Sequence, residues 1–189
     1  MADKPPEKPP QRPTVSIRFS AAEIAARVDE MASELAKQLP ADTLIVSVLK
    51  GSFVFSADLI RALSRIGANW SMDFITLSSY GTGTQTSGNV RIVRDIVDEV
   101  RERDVLLVDD ILESGLTLNF AKNLLKERGA RRVWVCTLLD KPHKRRAQIQ
   151  ADFVGFEAGD EFLVGYGLDW AHRFRGLPYI GVVEKPAAE

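Results

Sequence analysis

Apolar residues recur along this chain in two alternating rhythms. Ile24, Val28, Met31, Leu35 and Leu39 fall three to four residues apart, the period of one helix face, until Pro40 forbids continuation. Ser20 and Glu23 supply a capping box at the start of that helix. Thr43 to Leu49 is a short apolar run, which predicts a buried strand, and Phe53 to Ile66 is a helix that Gly67 ends in a left-handed conformation. Trp70 to Leu77, Val90 to Val93, Val105 to Val108 and Val133 to Leu139 predict further strands, with a helix over Leu116 to Glu127 ending at Gly129. This alternation predicts an α/β fold, a mostly parallel central sheet flanked by helices.

The ends and the connections break the rhythm. Residues 1 to 13 hold five of the nine prolines among charged and polar residues, and are expected to be a disordered tail, with a second short tail at 185 to 189. Ser78 to Asn89 contains three glycines and no apolar anchor except Tyr80, which predicts a flexible loop. After Lys141 the texture changes to short β-like pieces, Phe153 to Phe156, Phe162 to Tyr166 and Tyr179 to Val183. These are expected to form a small C-terminal hood, mainly from 141 to 184 with part of the N-terminal segment, over the strand ends of a single domain spanning 14 to 184.

At 189 residues, 45% hydrophobic and 27% charged, the chain suits one domain with a proper core. A formal net charge of -1 gives no general attraction to nucleic acid or anionic lipid, so phosphate binding must be local and the ligand small. Cys136, the only cysteine, lies within an apolar run and excludes a disulfide framework or a cluster of thiolate ligands. The beginning of the chain shows no signal-peptide core and no apolar stretch is long enough to span a bilayer, so a cytoplasmic protein is expected.

The candidate chemistry concentrates in Val105 to Thr117, VLLVDDILESGLT. A buried strand delivers Asp109 and Asp110 at its carboxyl end, where ligands bind in parallel sheets, and Glu113, Ser114, Gly115 and Thr117 follow into a helix. Two carboxylates suit sugar hydroxyls or a cation, and the hydroxyls and free N–H groups at the helix start suit a phosphate. The ligand implied is a phosphorylated sugar. No Walker P-loop occurs, and with His143 and His172 the only histidines and no Gly-x-Ser-x-Gly elbow, a serine hydrolase is not competitive.

Acid-acid-apolar-apolar-acid-Ser-Gly-x-Thr resembles the phosphoribosyl-diphosphate (PRPP) signature of type I phosphoribosyltransferases. Over roughly residues 15 to 184, the chain resembles the hypoxanthine-guanine members. The resemblance implies an enzyme that transfers 5-phosphoribosyl from PRPP to hypoxanthine or guanine, giving IMP or GMP and pyrophosphate with Mg²⁺. It also implies a homodimer or homotetramer, with small molecules as the partners rather than nucleic acid or membrane.

The resemblance also assigns residues. Lys50 and Gly51, in a turn that in this family often carries a cis peptide before the lysine, present backbone N–H groups to pyrophosphate. Ser79 and Tyr80 begin a loop that closes over PRPP. Asp109 and Asp110 hold the ribose hydroxyls directly or through magnesium, Ser114, Gly115, Leu116 and Thr117 take the 5′-phosphate, and Glu113 handles the purine N7 proton. The family usually has Asp at that last place and Glu at the first of the acidic pair. Lys141 points its ammonium at the 6-oxo group of the base, which three donors and no acceptor suit better than a 6-amino group. Phe162 lies on the purine face and Leu163 on its edge, Asp169 holds a second magnesium beside the base and pyrophosphate, and Arg175 pairs with the pyrophosphate. His143 to Arg146 reads as a solvated basic patch, and Phe162, read alone, as core packing. A xanthine-preferring enzyme and a non-catalytic sensor of PRPP or nucleotide on the same fold are the alternatives.

Overall fold

The computed structural model describes residues 14–80 and 89–184. Its elements run in the order β1 (Thr14–Phe19), α1 (Ala21–Gln38), β2 (Leu44–Leu49), α2 (Phe53–Arg65), β3 (Ser71–Tyr80), β4 (Asn89–Arg94), β5 (Asp104–Leu112), α3 (Leu116–Glu127), β6 (Arg132–Asp140), β7 (Phe153–Glu157), β8 (Leu163–Val164) and β9 (Ile180–Glu184), with a 3₁₀ turn at Pro142–Lys144. The predicted capping box is present: Glu23 N donates to Ser20 Oγ at 3.3 Å and Ser20 N to Glu23 Oε2 at 2.8 Å. Gly67 adopts the left-handed conformation expected after α2, and Gly129, where α3 was expected to end, is left-handed too.

Six strands form the central sheet in the order β4-β3-β2-β5-β6-β7. All pair in parallel except β4, which runs antiparallel to β3. Neighbouring residues of a strand face opposite layers. Thus Ile45, Leu106 and Val108 pack with Met31, Leu35, Phe55 and Leu59 of α1 and α2, whereas Leu44, Val46, Val105 and Leu107 pack with Leu118, Ala121 and Leu125 of α3. Burial on both sides explains why β2 and β5 read as continuous apolar runs.

Two readings need correction. The central strand does not stop at Val108. Its ladder with β2 ends there, although β2 runs on beside β3 to Leu49, while pairing with β6 continues through Asp109↔Thr137 to Leu112↔Asp140. The acidic pair therefore sits in extended backbone held on one side only. Phe153 to Phe156 does not belong to the hood either: as β7 it pairs in parallel with β6 and closes the edge of the main sheet, with Phe153 buried in the core. A separate antiparallel sheet, β1-β9-β8, packs onto the main core through Phe19, Leu163 and Ile180. The expected tails and the tip of the predicted loop, residues 81 to 88, lie outside the described residues.

Candidate functional site

Asp109, Asp110, Glu113, Ser114, Gly115 and Thr117 line one pocket of about 230 Å³ at the carboxyl end of β5. Gly115, left-handed at φ 78°, caps α3 without a side-chain hydrogen bond, which leaves first-turn N–H groups available to an anion. Leu116 N donates to Ser114 Oγ at 3.4 Å, so the serine hydroxyl stands beside those donors. An anion here meets backbone dipoles and hydroxyls rather than side-chain cations.

Asp109 is buried, and its carboxyl is pushed well above the usual carboxylate range, first by loss of water and then by the charge of Asp110. Asp110 is also raised, again mainly by burial, although the positive charge of Arg175 counteracts this. Two adjacent carboxylates that resist ionisation together are poised to gain from a cation or hydroxyl donors. They are hard oxygen ligands of the kind magnesium takes when substrate oxygens and water complete its shell. Among the described residues no group of three metal-ligating side chains forms a closed cage, so a cation here would depend on substrate oxygens.

The Lys50–Gly51 turn follows β2 and contains a cis peptide between Leu49 and Lys50. A hydroxyl cluster supports it: Ser47 Oγ lies 2.7 Å from Ser52 Oγ and 2.6 Å from Ser56 Oγ, all buried. These serines were not anticipated, although a serine inside the apolar run Leu44–Leu49, followed by serines at 52 and 56, is the signal that marks them. Gly51 packs against the Asp110 carboxylate, and Gly167 packs against the carbonyl of Gly51. At φ 103° and with the Gly51 carbonyl where its Cβ would be, residue 167 admits only glycine.

That contact brings the Gly165–Arg175 segment to the acidic pair. Arg175 donates to Gly167 O at 2.6 Å and pairs with Asp169 Oδ1 at 2.6 Å, while Asp169 Oδ2 accepts from His172 N at 2.8 Å. Asp169 and Arg175 are thus joined to each other here. Tyr166 OH donates to Asp58 Oδ2 at 2.6 Å and anchors the turn to α2; burial drives the phenol pKa upward, with the Asp58 hydrogen bond adding to it.

On the other side, Lys141 is 4% exposed and donates from Nζ to Glu161 O at 2.6 Å. Burial lowers its pKa, partly offset by the charge of Glu113. Phe162, next in sequence to Glu161, is 55% exposed, so it is not core packing, while Leu163 is buried in β8. The Lys141 ammonium is thus held at the carbonyl of the residue that precedes the exposed Phe162 ring. Ser79 and Tyr80 end β3; their expected role in closing a loop lies outside the described residues.

The supposed solvated patch at His143 to Arg146 is a correction. Arg145 is largely buried, donating to Leu112 O at 2.9 Å and Glu113 O at 2.8 Å and pairing with Asp140, and Lys144 Nζ lies 2.9 Å from Glu113 Oε1. Only His143 and Arg146 are exposed. A run of basic residues looks solvated when the carbonyls it will serve belong to a distant strand end.

Residues 20–170 match the model of the phosphoribosyl transferase domain. The chain belongs to the phosphoribosyltransferase family. It is 51% identical over 144 residues to the hypoxanthine-guanine phosphoribosyltransferase of Bacillus subtilis (strain 168), covering 76% of this chain and 78% of that one. It is 44% identical over 147 residues to the hypoxanthine phosphoribosyltransferase of Escherichia coli (strain K12), covering 78% and 81%. A crystal structure of a hypoxanthine-guanine phosphoribosyltransferase from Bacillus anthracis superposes with a TM-score of 0.84 at 39% identity, covering 89% of this chain and 98% of that one. The phosphoribosyltransferase therefore has the α/β fold its sequence predicts, and among its described residues no helix is long and apolar enough to cross a membrane.

Proposed function

We propose that this phosphoribosyltransferase joins hypoxanthine or guanine to PRPP, forming IMP or GMP and releasing pyrophosphate, with magnesium. The observation that carries the substrate is Lys141: a buried ammonium bonded to the carbonyl of Glu161, next in sequence to the exposed Phe162, and close enough to Glu113 to feel its charge. Burying a lysine is costly unless its charge is used, and three donors with no acceptor select a 6-oxo purine over a 6-amino one. Relatives named for hypoxanthine and guanine support the same choice.

In this reading Phe162 stacks on the base and Lys141 holds its oxygen, fixing N9 toward the ribose. Thr117, Ser114 and the α3 N–H groups hold the 5′-phosphate; the backbone at Lys50 and Gly51, with Arg175, holds the pyrophosphate. As N9 forms its bond to C1′, the bond from C1′ to the pyrophosphate oxygen breaks and its electron pair leaves with pyrophosphate. Glu113 takes the N7 proton, so the purine does not keep a positive charge. Magnesium would be held by Asp109 and Asp110, with Asp169 a second position, and would supply charge neutralisation for the departing pyrophosphate. For Asp169 to serve, its contacts with Arg175 and His172 N must give way.

Pyrophosphate release measured with PRPP, magnesium and each of hypoxanthine, guanine, xanthine and adenine tests this. Turnover with hypoxanthine or guanine and little with adenine is expected. A clear preference for xanthine, or binding of PRPP without turnover of any base, overturns it.

A further inference from the structure

Glu113 differs from the aspartate usual at its place by one methylene, and the structure shows what accompanies it. Its backbone is clamped: Arg145 donates to the carbonyls of Leu112 and Glu113, Lys141 N donates to Leu112 O at 3.0 Å, and Arg146 N and Ala147 N donate to Ser114 O at 2.9 and 3.1 Å. What stays free is the longer side chain, with one more rotatable bond than aspartate has. Lys144, at the end of the 3₁₀ turn facing the clamp, reaches it with Nζ 2.9 Å from Oε1. Neighbouring cations are engaged elsewhere: Lys141 Nζ is on Glu161 O and Arg145 is on Asp140 and the two carbonyls.

On the reading that Glu113 takes the N7 proton, we propose that Lys144 is a positioning residue, which holds Oε1 so that the extended carboxylate presents Oε2 to the purine. Both side chains are partly exposed to solvent, and an ion pair of that kind contributes little to stability. Its effect is on geometry, where a small misplacement of a proton acceptor is costly in rate. The pairing also raises the Lys144 pKa, so the ammonium is charged throughout the neutral range.

The test is kinetic, with hypoxanthine, PRPP and magnesium on the full-length enzyme. Lys144→Met is expected to lower kcat by about 3- to 10-fold while leaving KM for PRPP within about twofold, because only the proton transfer is misaligned. Lys144→Arg should recover most of the loss. In a Glu113→Asp background, Lys144→Met should change kcat by less than about twofold, since the shorter carboxylate falls short of the ammonium. A Lys144→Met enzyme as fast as wild type, a loss of equal size in both backgrounds, or no recovery by Lys144→Arg overturns the inference while leaving the proposed function standing. A wild-type enzyme that turns over no purine overturns both.

Discussion

Asp110 closes directly over Gly51: a Cβ on residue 51 would overlap Asp110 Oδ2 and sit 2.5 Å from its Cγ. Gly51 lies in the turn after β2 and Asp110 in β5, so their contact sets the distance between the turn proposed to hold pyrophosphate and the carboxylates proposed to hold the ribose. Gly51→Ala must displace the Asp110 side chain. Loss of one charge-assisted hydrogen bond, worth about 1.5–3 kcal/mol, predicts a KM for PRPP raised by about 10- to 100-fold. Initial-rate kinetics against PRPP measure it, and an unchanged KM would remove Asp110 from PRPP binding.

Lys141→Met should raise KM for hypoxanthine with little effect on PRPP, because the base loses the donor to its oxygen. The lysine's lowered pKa adds a second signature. Between its folded value and the ordinary 10.5, the unfolded chain holds a proton that the folded one has lost. Stability therefore rises with pH through that window, while recognition of the 6-oxo group falls. The kcat/KM profile for hypoxanthine should decline on the alkaline side at lower pH in wild type than in Lys141→Arg, whose guanidinium stays charged. Titration of the purine itself is common to both proteins, so coincident alkaline limbs would show that Lys141 does not carry the recognition.

Much of the frame and of the pocket at the end of β5 was legible in the sequence. Ile24 to Leu39 declares its helix by period, and Thr43 to Leu49 its strand, because each element buries what its own geometry dictates. The run from Asp109 to Thr117 needs only local chain geometry to gather into one pocket, so its residues are found together. Contacts between distant segments were not legible. Arg145 serves carbonyls more than thirty residues away, Tyr166 bonds Asp58 across 108 residues, and β7 joins the main sheet because β6 offers it an edge. Nothing in the local sequence of these residues names their partners.

Tyr166 is a non-glycine residue at φ 49° between two left-handed glycines, so the turn it centres depends on outside support. The Tyr166–Asp58 hydrogen bond supplies it. Tyr166→Phe keeps the ring and removes that bond, which predicts a loss of about 1–2 kcal/mol, seen as a fall in Tm of roughly 2–8 °C. Asp169 and Arg175 follow in the same segment, so KM for PRPP should rise together with the fall in Tm. A fall in Tm with unaltered KM would confine the bond to stability.

On the proposed reading Glu113 takes the N7 proton, and its backbone is held so firmly that a change of side chain tests chemistry rather than folding. Glu113→Gln keeps the length and the hydrogen-bonding capacity but cannot take a proton. It should lower kcat by about 10²-fold or more with PRPP affinity nearly intact, since general acid–base assistance is typically worth that much. Glu113→Asp restores the commoner residue and gives up the contact with Lys144; it should keep much of the activity, the shorter reach being offset by fewer side-chain torsions to fix. Single-turnover kinetics isolate the chemical step from product release. If both variants match wild type in that step, the N7 proton leaves through water or another acid and Glu113 is a bystander; if Glu113→Asp is as slow as Glu113→Gln, the site has been built around the longer side chain.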